Sequence, residues 1–156
     1  MAQPVYIAVI GGSEINAELA GLARQVGREV ARRGAVLLCG GLSGVMAAAA
    51  QGAQEGGGVS LGILPDGDRQ RANPHLTYAI ATNLGHARNM LIAHSADAVI
   101  AIDGSYGTVS EAAIALKLGK PVIVLQVTWD LPGLQRAASP EEAVSLAWER
   151  LKVGRL

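Results

Sequence analysis

Phenylalanine is absent from the 156 residues and aromatic side chains of all kinds make up only 3%. Any core must therefore be built from Ala, Val, Ile and Leu, a set that suits close packing of helices on a sheet. Cysteine is almost missing as well. Cys39 stands alone, which excludes an intrachain disulfide and a multi-cysteine zinc site and points to a reducing compartment, the cytoplasm. A small buried hydrophobe is its plain role. Long apolar runs are lacking: residues 5–10 are too few for a signal core, Met1-Ala2-Gln3-Pro4 carries no basic region, and nothing approaches a membrane span. A soluble protein without a membrane partner is expected. Charge of neither sign is in excess, with 13 Lys and Arg against 13 Asp and Glu. With no basic run and no aromatic platform beside it, that balance argues against nucleic acid as a partner.

What the chain does have is glycine at regular stations. Residues 5–10 form an apolar strand pattern ending in Gly11-Gly12-Ser13, followed by a helical pattern through Leu19, Leu22, Ala23, Val26 and Val30 that stops near Gly34. Residues 35–39 repeat the scheme with Gly40-Gly41-Leu42-Ser43-Gly44 and an alanine-rich helix over 45–53. Strands follow over 59–64 and 77–81, separated by a polar surface loop at 65–74. The second of them leads through Thr82-Asn83 into a helix carrying Arg88, Met90, Leu91 and Ile92. A fifth strand over 97–102 passes through Asp103-Gly104-Ser105-Tyr106-Gly107-Thr108 into a helix with Ala112, Ala115 and Leu116. Residues 122–125 give a sixth strand, and Ser139-Pro140-Glu141-Glu142 opens a last helix with a cap residue, proline in the first turn and acids at the positive end. The length suits one domain, residues 1–156.

Apolar strands alternating with helices predict an α/β fold, a doubly wound parallel sheet with helices on both faces. Right-handed crossovers then bring every strand-to-helix turn to one edge of the sheet, where such sheets bind ligands. The turns at Gly11, Gly12 and Ser13, at Gly40, Gly41 and Gly44, at Thr82 to Arg88, and at Asp103 to Thr108 meet there. Free backbone N–H groups at the helix starts favour an anion. Thr108 and Glu111 also have the spacing of a capping box, which would make Glu111 structural. Both readings stand on sequence alone.

Nucleotide fingerprints narrow the ligand. No Gly-x-x-x-x-Gly-Lys-Ser/Thr occurs, Gly11-Gly12-Ser13 lacks the Gly-x-Gly-x-x-Gly spacing, and the second strand ends in Cys39-Gly40 rather than an acid. A phosphate held by backbone amides with one cation remains. Arg88 is that cation, since a guanidinium in the first turn of a helix opposes the macrodipole and an anionic partner explains its place. A surface arginine or a salt bridge is its alternative. His86 and His94 have no ligand-spaced partner, so no metal site is expected, and Ser110 has no evident base.

The run Gly104 to Glu111 resembles the Pro-Gly-Gly-x-Gly-Thr-x-x-Glu signature of the LOG-like (lysine decarboxylase-like) proteins of the SLOG superfamily. Cys39-Gly40-Gly41-Leu42-Ser43-Gly44-Val45-Met46 is similar to that family's Gly-Gly-Gly-x-x-Gly-Leu-Met, and Arg88 falls where its functional arginine is expected. The resemblance implies a three-layer Rossmann-like fold and common homo-oligomerisation. In the enzymatic branch it implies cleavage of the N-glycosidic bond of nucleoside 5′-monophosphates, with Glu111 stabilising an oxocarbenium ion or orienting water and Arg88 positioning substrate. This chain departs from that pattern at Asp103 for Pro, Ser105 for Gly, Cys39 for Gly and Asn89 for Lys. The stretch Thr82 to Asn89, taken with Gly107 to Ala113, looks closer to the branch that includes molybdenum cofactor carrier proteins, which bind a phosphorylated pterin. Three functions therefore follow: a binding protein for a phosphorylated nucleotide-like ligand, with molybdenum cofactor the named candidate; a phosphoribohydrolase; or an interaction protein with a vestigial site.

Overall fold

A computed structural model describes residues 3–154. Met1 and Ala2, part of the N-terminal segment considered above, and Arg155 and Leu156 at the end of the expected domain lie outside the described residues.

Seven parallel strands form one sheet in the order β4-β3-β2-β1-β5-β6-β7. They are β1 (Tyr6–Gly11), β2 (Val36–Cys39), β3 (Val59–Leu64), β4 (Tyr78–Ala81), β5 (Ala98–Ile102), β6 (Val122–Leu125) and β7 (Gln135–Arg136). Between and after them run α1 (Ala17–Arg32), α2 (Val45–Glu55), α3 (Arg88–Ser95), α4 (Tyr106–Lys117) and α5 (Pro140–Gly154). The chain steps outward from β1 to β4, then returns to the other side of β1 with β5. In register, Ile7 to Gly11 of β1 pair with Ala98 to Ile102 of β5, and the reversal of strand order lies between these two strands.

Both faces of the sheet are covered, which is why the strands are apolar without alternation. Ile7 and Val9 of β1 face a cluster with Val26 and Val30 of α1, Ala49 and Ala53 of α2, and Ala143 and Ala147 of α5. Ala8 and Ile10 face the opposite cluster with Ile92 and Ala93 of α3 and Ala112 and Ala115 of α4. Small side chains let the layers approach closely. A Cβ on Gly27 would strike the Ala49 carbonyl, and one on Gly52 would strike the Arg24 carbonyl, so α1 and α2 touch backbone to backbone.

Two features depart from the sequence expectation. Strand β7 is absent from the sequence pattern, because two residues pairing Ile123 with Gln135 and Val124 with Arg136 leave no periodicity to read. The capping box at Thr108 and Glu111 does not form: α4 starts at Tyr106 with Ser105 as its cap residue and no side-chain cap bond. Thr108 and Glu111 therefore lie inside the helix, where both are buried. The left-handed backbone of Asp103 (φ 54°) and Gly104 (φ 89°) turns the chain sharply enough to start the helix early. The expected cap at Ser139 does form, its Oγ accepting from Glu142 N at 3.1 Å while the Glu142 carboxylate accepts from Ala138 N at 3.0 Å.

Candidate functional site

The turns after β1, β2 and β5 close around a cleft of about 270 Å³ at the carboxyl edge of the sheet, at the strand-order reversal. Gly11, Gly12 and Ser13 bring the first turn, Gly40 the second, and Ser105, Gly107 and Thr108 the start of α4. Arg88 enters from α3 and Glu111 from α4. Other expected site residues stand behind or beside it. Gly41 and Gly44 shape the second turn without lining the cleft; at Gly44 (φ 67°) a Cβ would strike the Gly12 carbonyl, so only glycine lets α2 dock on the first turn. Asp103 and Gly104 form the bend before α4 and do not line the cleft, although Asp103 Oδ2 lies beside Gly12. Tyr106 is 92% exposed and outside the lining.

The start of α4 is open. Tyr106, Gly107 and Thr108 present first-turn N–H groups that have no intrahelical acceptor, Ser105 does not cap them, and no acid occupies the first turn. No side chain caps the positive end of this helix, although the Asp103 carboxylate beside Gly12 lies at the bend before it. Arg88 sits across the cleft from it, only 8% exposed. Its Nη1 donates to Asn89 Oδ1 and its Nη2 donates to the Gly40 carbonyl at 3.4 Å, whereas Nε is buried with no hydrogen-bond partner. Glu111, also 8% exposed, buries Oε2 without a partner. Burial pushes the Glu111 carboxyl up to about 7, against the pull of the nearby Arg88 guanidinium. Burial likewise lowers Arg88, opposed by the charge of Glu111. Cys39, fully buried at the end of β2, is raised to about 11 by desolvation and stays a neutral thiol.

Sequence reasoning missed several lining groups: Ile10, Leu42, Met46, His86 and Asn89. Asn89 was visible as a departure from a family pattern, yet its buried contact with Arg88 follows only from the way α3 starts. His86 stood out only as one of two histidines without partners. It reaches the rim because a 3-10 turn at Gly85–Ala87 precedes α3. Trp129 is outside the lining, with Nε1 donating to the Asp103 carbonyl at 3.4 Å. Among the described residues no group of three or more His, Cys, Asp or Glu could hold a metal ion.

A sequence model described as the SLOG cluster4 family matches residues 4–149. An uncharacterised protein of Archaeoglobus fulgidus is 46% identical over 141 residues, spanning 90% of this chain and 93% of its own. A probable cytokinin riboside 5′-monophosphate phosphoribohydrolase of Oryza sativa subsp. japonica is 35% identical over 90 residues, which is 56% of this chain and 37% of that protein. Among solved structures, the molybdenum cofactor binding protein of the phototrophic bacterium Rippkaea orientalis superposes with a TM-score of 0.90 at 35% identity, covering 97% of this chain and 99% of that one.

Proposed function

The chain belongs to the SLOG cluster4 family, and from that premise we propose that it is a binding protein that holds a phosphorylated, nucleotide-like ligand in the cleft between β1 and β5, with molybdenum cofactor as the leading candidate. The observation that carries this reading is the pair of buried, unbonded atoms, Arg88 Nε and Glu111 Oε2, in the cleft beside the uncapped start of α4. Buried polar groups in native proteins are almost always bonded, so a polar partner belongs there. A phosphoester suits the donors present: the first-turn amides of α4 and the turns at Gly12 and Gly40 hold it, and Arg88 balances its charge. About 270 Å³ takes the phosphate end and the adjoining ring of such a ligand rather than all of it. The likeness to the R. orientalis protein supports the choice of molybdenum cofactor.

Hydrolysis of a nucleoside 5′-monophosphate is the second reading, favoured by Arg88 and Glu111 sharing one cleft and by the rice relative. Two observations weigh against it. An oxocarbenium ion is stabilised by an ionised carboxylate, whereas Glu111, at about 7, is half protonated near neutrality. Asp103 holds φ 54°, a conformation that the proline of the enzymatic signature cannot adopt. Native mass spectrometry of the purified protein tests the binding reading, which predicts a co-purifying phosphorylated pterin or nucleotide that Arg88→Ala loses. Release of free base from a panel of monophosphates, abolished in Glu111→Gln, would replace it with the hydrolase.

Residues 1–156 act as one unit in this reading, in the cytoplasm and as a homo-oligomer. Tyr78 and Ile80 of edge strand β4 and Met90 and Leu91 of α3 are exposed apolar side chains that a second copy would cover, and sedimentation of the purified chain checks it.

A further inference from the structure

Arg88 and Glu111 are the only buried charged side chains among the described residues, and they approach the same cleft from α3 and α4. Around Glu111 the elements bring few other titratable groups. Cys39 faces it from the end of β2 as a neutral thiol, Arg88 faces it from α3, and His86 lines the cleft from the turn before α3. Asp103 lies beside Gly12 at the end of β5, while Asp66, after β3, acts on Arg88. Arg88 is thus the one group that favours the ionised carboxylate against its burial.

A doubly negative group seated on the α4 amides removes that support. It engages the Arg88 guanidinium and brings its own negative charge next to a carboxylate that has no hydrogen bond at Oε2 to hold it ionised. We propose that a dianionic phosphoester enters this cleft together with one proton, which the Glu111 carboxylate takes from solvent to become a carboxylic acid whose O–H donates to the incoming anion. The balance is simple: carboxylate, proton and free dianion become a carboxylic acid hydrogen-bonded to the bound dianion, and no bond of the ligand is made or broken. Below the range where Glu111 ionises, the acid is already present and the anion binds alone. Above it, each pH unit costs affinity. The proposal rests on the cleft being an anion site, and it makes Glu111 the group through which pH sets loading and release.

Inorganic sulfate is the probe, because it stays a dianion throughout the range and carries neither base nor pterin. Calorimetric titration in two buffers of different ionisation enthalpy counts the protons taken up. At about pH 8.5 the wild-type protein takes up close to one proton per sulfate, at about pH 6 close to none, and affinity falls by up to about tenfold per pH unit above neutrality. Glu111→Gln takes up no proton at either pH and binds sulfate with a flat pH profile; His86→Asn keeps the wild-type uptake. Sulfate binding without proton uptake in the wild-type protein at the higher pH overturns the proposal, and so does uptake that survives Glu111→Gln or disappears in His86→Asn. The wild-type count alone decides the matter if a variant does not fold. If sulfate binds with its proton but no phosphorylated pterin or nucleotide does, the coupling stands and the functional reading falls. If sulfate does not bind at any pH, both fall.

Discussion

At Glu111, burial and charge pull the carboxyl in opposite directions and burial wins, which makes stability depend on pH. A carboxyl raised from 4.5 to about 7 on folding binds its proton more tightly in the native state than in the unfolded chain. Its stabilising contribution is fully present below about pH 4.5 and is lost as pH rises through about 7, with the lost part on the order of 3 kcal/mol. Urea melts across that window are expected to show wild-type stability declining relative to Glu111→Gln, with the difference constant at higher pH. Binding should be separable from stability at two neighbouring positions. Arg88→Ala removes the buried cation and is expected to weaken ligand binding by about 2–3 kcal/mol, roughly 30- to 150-fold. Gly107→Val adds bulk where a Cβ meets nothing within 4 Å, so thermal melts should be unchanged while titration shows ligand access impaired. Arg88 stood out in the sequence as a cation in the first turn of a helix, and Glu111 through its spacing from Thr108 and the likeness to a signature glutamate. The burial of both was not legible there, since it arises from long-range packing: the Arg88 guanidinium lies against Gly40, 48 residues away in sequence.

Elements were legible where several local signals agreed and lost where one stood alone. Ser139, Pro140 and Glu142 start α5 as their order implies, whereas the Thr108 and Glu111 spacing failed because the helix phase is set upstream, by Asp103 and Gly104. Asp103→Pro would force φ to about −65° and remove the N–H that donates to the Leu125 carbonyl at 3.2 Å, at a cost of about 3 kcal/mol or more; equilibrium unfolding measures it. The contact of α1 with α2 gives a test in which two effects compete. Helix propensity alone makes Gly52→Ala stabilising by about 1 kcal/mol, but the new methyl would strike the Arg24 carbonyl, a backbone atom that yields only if the helices separate. Overpacking of this kind costs about 1–3 kcal/mol or more, so a net loss of stability is expected in melts of the purified variant. The Arg24 and Arg28 pairs with Glu55 across the same helices are too exposed to offset it.

For the whole molecule, position along the sheet decides function. The return of the chain from β4 to β5 leaves a gap at the carboxyl ends of β1 and β5 that no helix crosses, and the glycine turns fill its walls without filling its centre. The opposite edge carries a larger groove around His94, Lys120 and Arg150, but Lys120 Nζ there donates to the Ala93 carbonyl at 2.7 Å and also to the His94 carbonyl. Its charge is already spent on the end of α3. A ligand that binds the native protein alone raises its stability by about 2.7 kcal/mol at a concentration of one hundred dissociation constants, which for a chain of this size is about 5–10 °C. Purified molybdenum cofactor or a nucleoside monophosphate at that excess is expected to shift the melting temperature by this amount in the wild-type protein and by much less at the same concentration in Arg88→Ala. A Lys120→Ala variant should melt lower at every concentration yet keep the full shift, because the groove it lines takes no part. A shift that followed Lys120 instead of Arg88 would move the site to the other edge of the sheet.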